Sequence, residues 1–299
     1  MAEQDRIEQL DAAIDAMLNG RAATDVEGET ADLLAIASAL REVAHPLFKA
    51  QTKWRVVPRL PHTLVPHCRV QGVPAFIDFL EKAFGAIEEF RVPMPDGSVA
   101  HAQVRIGDSM LEMGDTGNNP PTSGALHLYV DNVDELYQRA LAAGATSLHP
   151  LVDQFYGDRE GSVKDPFGNH WYIGSPVRAG YRTITPTLHP RGTDRAIDFV
   201  RDAFGGEIVD EPYTTPQGVI AHVVMRVGDS LLEMGEQRAD WKQLDAGIHL
   251  YVEDCDAVYG RALAAGARSV YPPYDAPYGE RSAYVVDPWG NHWYIGTPK

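Results

Sequence analysis

Residues Asp165–Gly174 read DPFGNHWYIG, and residues Asp287–Gly296 read DPWGNHWYIG. In the first string Pro166 presets the φ of the first turn position and Gly168 tolerates a positive φ, so the tetrapeptide turns the chain back sharply. The residues that follow alternate. Trp171 points one way and His170 and Tyr172 the other, as they do in a strand with one face in a core and one face outside it. A tight turn running into a half-buried strand, found twice, describes a sheet protein built by duplication.

The duplication extends outward from these strings. HLYV occurs at His127–Val130 and His249–Val252, RALAAGA at Arg139–Ala145 and Arg261–Ala267, and GDSMLEMG at Gly107–Gly114 answers GDSLLEMG at Gly228–Gly235. The spacing is 120 at Ile77/Ile197, 121 at His101/His222 and 122 at His127/His249, so two single-residue insertions separate the copies. A period this long indicates tandem domains rather than a solenoid, whose repeats run about 20 to 50 residues. A chain of 299 residues has the length of two domains. Each copy is long enough to bury a core.

Composition excludes several classes of partner. The formal charge is −16 with no run of Lys or Arg. That argues against nucleic acid, which needs clustered cations, and against an anionic membrane surface. The only cysteines, Cys68 and Cys255, are not twins, so neither a disulfide framework nor a thiolate metal site is expected. The opening MAEQDRIEQ lacks a basic region followed by an apolar one, and no apolar run approaches about 18 residues. The expectation is a cytoplasmic protein.

Residues 1–55 differ in kind. Ile7, Leu10, Ile14 and Leu18 recur at helical spacing before Asn19-Gly20, and Thr30 can cap a second helix bearing Leu33, Leu34, Ile36, Leu40 and Val43, ended by Pro46. This predicts an α-helical hairpin too small for its own core, packed on the repeats or on a protein partner. Within each copy the chemistry-bearing residues fall on one face of the strands. Leu126, Leu128 and Val130 face helices, whereas His127 and Tyr129 face away, with His249 and Tyr251 as their twins. The same alternation places His101, Gln103 and Arg105, then Glu112 with Met110, then His170 and Tyr172 on the face where a cupped sheet would hold a ligand; the twins are His222, Val224 and Arg226, then Glu233, then His292 and Tyr294.

Each copy reads as two rounds of strand, helix and three strands. With IDF…AFG on the first helix, GDSxLEM, and YGDR or YGER leading to DPxGNHW, the chain resembles the vicinal oxygen chelate superfamily of glyoxalase I, bleomycin-resistance proteins and extradiol dioxygenases, in its PhnB-like branch. The resemblance implies an α+β fold: two glyoxalase-like domains of paired βαβββ modules at 59–175 and 181–299, following the helical hairpin. It also implies that the copies associate within one chain as homodimers of single-copy relatives do, with a cleft at their interface.

In metal-dependent members, each module supplies a His, Gln or Glu from its first strand and a Glu from its last. Aligned by motif, that quartet falls on Val65, Glu112, Ala125 and Tyr172, and on Thr185, Glu233, Gly247 and Tyr294. Only the glutamates remain, so the usual divalent site is expected to be absent. A displaced set of His67, Glu112 and His127 is the alternative, weakened in the second copy by Thr187 in place of His67. Glu112 and Glu233, inside apolar strands, need an imidazole neighbour such as His127 or His249. The candidate ligand-binding residues are His67, His101, Glu112, His127, Tyr129, Tyr172, His222, Glu233, His249, Tyr251 and Tyr294. If catalysis occurs, Glu112, His101, Glu233 and His222 are its candidates. Arg159 and Arg281 either meet an anionic ligand or bridge to Asp158 and Glu280. No nucleophile–His–Asp grouping, Walker loop or dinucleotide fingerprint occurs.

Three functional readings follow. The first is a protein that binds a small organic ligand in cups lined by His, Tyr and Glu, without cofactor or the usual metal. The second is a lyase, isomerase or oxygenase using the displaced set or acid–base pairs. The third is a ligand-sensing regulator whose hairpin contacts a partner. Association with a further copy of the chain is open in each.

Overall fold

The protein is described from a computed structural model, which covers residues 62–117, 119–154, 157–175, 180–238 and 244–299. The helical hairpin expected over 1–55 lies outside the described residues.

The first repeat begins with β1 (Leu64–Val70), α1 (Val73–Phe84), β2 (Ile87–Pro93), β3 (Val99–Ile106) and β4 (Ser109–Asp115). It continues with β5 (Ala125–Tyr129), α2 (Val133–Ala142), β6 (Thr146–Asp153), β7 (Arg159–Lys164) and β8 (His170–Ser175). In the second repeat come β9 (Ile184–Leu188), α3 (Thr193–Phe204), β10 (Glu207–Ile208), β11 (Tyr213–Thr214), β12 (Ile220–Val227) and β13 (Ser230–Met234). It closes with β14 (Gly247–Tyr251), α4 (Cys255–Ala264), β15 (Arg268–Ala276), β16 (Glu280–Val286) and β17 (His292–Pro298). The helices start and stop where local chemistry dictates. Asn132 caps α2 by accepting from the Glu135 amide, Asp254 caps α4 by accepting from Ala257, and Gly85 and Gly205 end α1 and α3 in the left-handed conformation.

The strands do not stay within their own repeat. One eight-stranded sheet runs β15-β16-β17-β14-β1-β4-β3-β2, and the other runs β10-β12-β13-β9-β5-β8-β7-β6 with β11 on β12. Each sheet therefore joins the first module of one repeat to the second module of the other. The joins are antiparallel, β1 to β14 and β5 to β9, whereas the pairs within modules, β1/β4, β5/β8, β9/β13 and β14/β17, are parallel.

The cores follow the opposite rule. Phe76, Ile77 and Leu80 of α1 and Tyr137 and Ala140 of α2 share one apolar cluster with Leu111, Met113, Leu128, Trp171 and Ile173, nearly all from the first repeat. The second repeat has its own cluster around Phe199, Phe204, Leu232, Leu250, Trp293 and Ile295. Burial of each large side chain is worth about 1.5–3 kcal/mol. Hydrophobic burial thus holds each repeat together, and backbone pairing joins the repeats.

The DPxGNHW string is mostly structural. Asp165 Oδ1 accepts from the Phe167 and Asn169 amides, and Oδ2 from Asn169 Nδ2 and the Trp171 indole, at 2.8–2.9 Å. Asp287 repeats this with Trp289, Asn291 and Trp293. The GDS turns clasp the opposite repeat. Asp108 accepts from the Thr183 amide at 2.8 Å and Asp229 from the Thr63 amide at 2.8 Å. Gly107 and Gly228, both at φ +59°, leave room for those threonines: a Cβ on either would lie 2.1 or 2.2 Å from a threonine Oγ1. Arg182 reaches both clasps, 3.7 Å from Asp108 and 3.2 Å from Asp229.

Candidate functional site: two cups shared between the repeats

Strand register decides which candidate residues meet. In the eight-stranded sheet His67 lies opposite Glu112 and Glu112 opposite Gln103, while His249 lies opposite Tyr294. Glu112 is fully buried and satisfied by three donors. Its Oε1 accepts from Gln103 Nε2 at 3.0 Å and the Tyr251 hydroxyl at 2.7 Å, and its Oε2 from His249 Nδ1 at 2.8 Å. The nine-stranded sheet repeats the centre. Glu233 accepts from the Tyr129 hydroxyl at 2.5 Å, from His127 Nδ1 at 3.0 Å and from Thr187 Oγ1 at 3.2 Å.

Each glutamate therefore takes its histidine and tyrosine from the other repeat. The set His67, Glu112 and His127 is not formed: His127 stands on β5 in the other sheet, bonded to Glu233, and the imidazole beside Glu112 is His249. Strand register puts other residues than the motif-aligned Val65 and Ala125 opposite Glu112 and Tyr172. Pairing along β1 and β4 puts His67, two residues past Val65, beside Glu112, and pairing along β14 and β17 puts His249, two residues past Gly247, beside Tyr294. The positions facing one another are His67, Glu112, His249 and Tyr294 in one sheet, and Thr187, Glu233, His127 and Tyr172 in the other. Sequence alternation assigned the faces, but it carried no information on which repeat supplies the neighbouring strand.

The electrostatics follow from burial and pairing. Burial alone would lower the pKa of His249, but Glu112 and Glu280 overcome it and push it up to about 10. Burial would raise Glu112, and the charge and hydrogen bond of His249 instead hold its carboxyl well below the usual carboxylate range. Glu233 behaves alike: against burial, His127 holds it down at about 2. His127 is raised, again against burial, chiefly by Glu233. His67 is different, since burial outweighs the nearby Glu112 and lowers it to about 3. Each cup thus favours the charged form of its His–Glu pair, whereas burial favours the neutral form of His67 beside the first pair.

The other candidates lie around these centres. His101 lies between His67 and Phe90, with ring centroids 6.3 and 6.2 Å away, and its pKa is lowered by burial. His222 is half exposed, with Nε2 4.0 Å from Glu233. The Tyr172 hydroxyl meets His189 Nε2 at 3.1 Å. Arg159 and Arg281 bridge neither Asp158 nor Glu280. They form forked pairs with Asp134 and Asp256 and also reach Asp153 and Asp275, tying each second-module helix to a sheet edge. Glu280 is freed by this arrangement and turns inward, 93% buried, with Oε2 3.5 Å from His249 Nε2. Sequence reading named Glu280 only as a partner for Arg281, not as a neighbour of His249; in the first repeat the carboxylate that acts on His127 from β7 is Glu160, opposite Gly174.

The donor set does not match a divalent-ion quartet. Both glutamates spend their oxygens on three hydrogen bonds each, and tyrosines stand where the second carboxylates would be needed. An ion at either centre would first have to displace the His and Tyr donors. Among the described residues, no group of three or more His, Cys, Asp and Glu is arranged to hold one.

A fold of paired βαβββ modules, sheets shared across a duplication and a glutamate at the centre of each define a class of protein. The family model described as the glyoxalase/bleomycin resistance protein/dioxygenase superfamily matches residues 59–173 and 188–295, and the chain belongs to that superfamily. An uncharacterized protein of Mycobacterium bovis is 46% identical over 127 residues, covering 38% of this chain and 84% of its own length. An uncharacterized protein of Mycobacterium tuberculosis shows the same identity over the same length, with 75% of its length covered. Among solved structures, glyoxalase I from Zea mays superposes with a TM-score of 0.64 at 15% identity, over 78% of this chain and 90% of that one. A putative dioxygenase from Bacillus subtilis gives a TM-score of 0.55 at 14% identity, over 80% of this chain and 86% of that one. At these identities the likeness is one of fold. No helix among the described residues is long and apolar enough to cross a membrane.

Proposed function

We propose that the chain binds small organic molecules in two cups, each built around a glutamate from one repeat and a His–Tyr pair from the other, and that binding requires no metal. The observation that carries this reading is the threefold hydrogen bonding of Glu112 and Glu233, which engages both oxygens of each carboxylate with protein donors and orients His249 and His127 rigidly. The outer nitrogens, Nε2 of both histidines, are buried and make no close hydrogen bond within the protein, that of His249 lying 3.5 Å from Glu280.

The reading of the chain as an acid–base enzyme is less well supported. A general base works best with a pKa near the working pH. An imidazole held at about 10 between two carboxylates donates a hydrogen bond well and accepts a proton poorly. Cytoplasmic residence and the absence of nucleic-acid or membrane partners belong to the same proposal, supported by the net charge of −16.

The test combines elemental mass spectrometry, after exposure to Zn, Mn, Ni and Fe(II) and desalting, with a thermal-shift screen of neutral aromatic, peptide and dicarbonyl compounds. Metal-free protein that is stabilised by a compound, less so in Glu112→Gln, supports the proposal. Near one equivalent of a single metal, lost in Glu112→Gln, overturns it.

A further inference from the structure

Outside both cups, the second repeat carries a cavity of about 530 Å³, open to solvent and lined by Arg191, Arg195, Gln237, Asp245, Pro288 and Trp289. Its walls are the loop before α3, the first turn of that helix, the chain after β13 and before β14, and the DPWG turn. None of these residues belongs to a cup. The volume falls within the range of small-molecule sites, about 300–1,000 Å³.

The Arg191 carbonyl ties the walls together. It accepts from the Trp289 indole at 2.9 Å and from Arg195 Nη2 at 3.3 Å. Trp289 is half-buried and stands edge-on to Phe199, with ring centroids 6.0 Å apart at 69°, so its ring is held in place. Gly192, at φ +86°, lets the Arg195 guanidinium fold over the backbone, since a Cβ there would lie 2.6 Å from Nη2. Glu236 takes the Gly192 and Thr193 amides at 2.8–3.0 Å, so the start of α3 is already capped. The positive charge in the cavity therefore comes from the two guanidinium groups.

Those charges are not neutralised in place. Arg159, Arg201 and Arg281 each hold a carboxylate at 2.5–2.8 Å. Among the described residues, neither Arg191 nor Arg195 has a carboxylate within 4.0 Å, and Asp245, on the same cavity, has no cation within that distance. Two positive groups and one negative group thus face a shared space without meeting. In the first repeat the aligned residues are Gln71, Ala75, Thr116, Ser123, Pro166 and Phe167, and all three charges are gone.

We propose that this cavity binds a free α-amino acid with an aromatic or aliphatic side chain. The ligand carboxylate accepts from Arg191 and Arg195, whose planar guanidinium groups match it in fork geometry. The ligand ammonium donates to Asp245 and to Gln237 Oε1, and the side chain lies against Trp289 and Pro288. A ligand with only an anion would be repelled by Asp245, and one with only a cation would be repelled by two guanidinium groups. The site is independent of the cups and belongs to the second repeat alone.

The test is a titration of the full chain with L-phenylalanine, N-acetyl-L-phenylalanine and L-phenylalaninamide, observed by 15N NMR of the tryptophan indoles and histidine side chains. L-Phenylalanine is expected to move the Trp289 indole signal, assigned by its loss in Trp289→Phe, and to leave Trp171 in place. Blocking either charged group should weaken binding about fivefold, the worth of one exposed charge pair. Arg191→Gln combined with Arg195→Ala, which copies the first repeat, should abolish binding. Asp245→Ser should make the free and N-acetylated ligands bind alike. Unchanged Trp171 and His249 signals in these variants report an intact fold. Either blocked derivative binding as tightly as L-phenylalanine would overturn the amino-acid class, and a Trp289 signal unmoved at millimolar ligand would overturn the site. Shifts at His249 or His127 in place of Trp289 would assign the ligand to a cup, overturning this site while supporting the ligand-binding reading.

Discussion

At the scale of single residues, Glu112 and Glu233 organise everything around them. Each is a carboxylate in an apolar strand, stable because an imidazole and a phenol from the other repeat close on it. Removing one partner of such a buried pair costs about 3–5 kcal/mol, because the other charge is left uncompensated. His249→Ala and His127→Ala are each expected to lower unfolding free energy by that order in denaturant titrations, and an effect under 1 kcal/mol would deny the pairing. The pH dependence has a definite sign. His249 is raised in the fold from 6.5 to about 10, so its contribution is complete below pH 6.5 and is lost as pH rises toward 10. Glu233 is depressed from 4.5 to about 2, so its contribution is present above pH 4.5 and is lost as pH falls toward 2. The stability gap between wild type and His249→Gln should accordingly close on the alkaline side, between pH 7 and 10. The need of each glutamate for an imidazole was legible from burial alone. His127 and His249 were named for that role, but which of them serves which glutamate was not legible, because it is fixed by contact between strands more than 100 residues apart.

At the scale of elements, alternation along strands was readable and register was not. Leu126 and Leu128 went to the helices and His127 and Tyr129 to the cup as the period of two requires. A two-residue displacement keeps a side chain on the same face, so face assignment could not distinguish Val65 from His67 as the neighbour of Glu112; only the parallel pairing of β1 with β4 does. The DPxG turns behaved as turns, and the aspartate that opens each one also anchors the following strand through a tryptophan indole. Asp165→Ala strands the Trp171 N–H and the Asn169 side chain in the core and is expected to cost about 3 kcal/mol, read as a lowered Tm. Asp165→Asn, which retains two acceptor lone pairs, should cost less. Gly296→Ala tests the packing over β17, since a Cβ there would come within 2.5 Å of Glu280 Cδ and 2.7 Å of His249 Nε2. It should destabilise by about 1–3 kcal/mol and disturb His249 while sparing His127.

At the scale of the whole molecule, duplication was plain in the sequence, and the exchange of modules between repeats was only implied by likeness to dimeric relatives. Apolar clusters stay within a repeat while both sheets cross between repeats, so neither repeat can complete a cup alone. Residues 62–175 and 180–299 produced as separate chains are expected to purify as a one-to-one complex, and stable monomers of both would contradict the shared sheets. The division also explains how the cups can diverge: each takes its glutamate from one copy and its histidine from the other, so a change such as His67 to Thr187 or Tyr284 to Ser162 alters one cup only.

The central claim is that each His–Glu pair spans the two repeats, and 15N NMR of the histidine side chains in Glu112→Gln and Glu233→Gln tests it most directly. Glu112→Gln should lower the pKa of His249 by more than a unit and leave His127 unchanged, and Glu233→Gln should do the reverse. A His127 response to Glu112→Gln, with His249 unmoved, would place each pair within a single repeat and contradict the account.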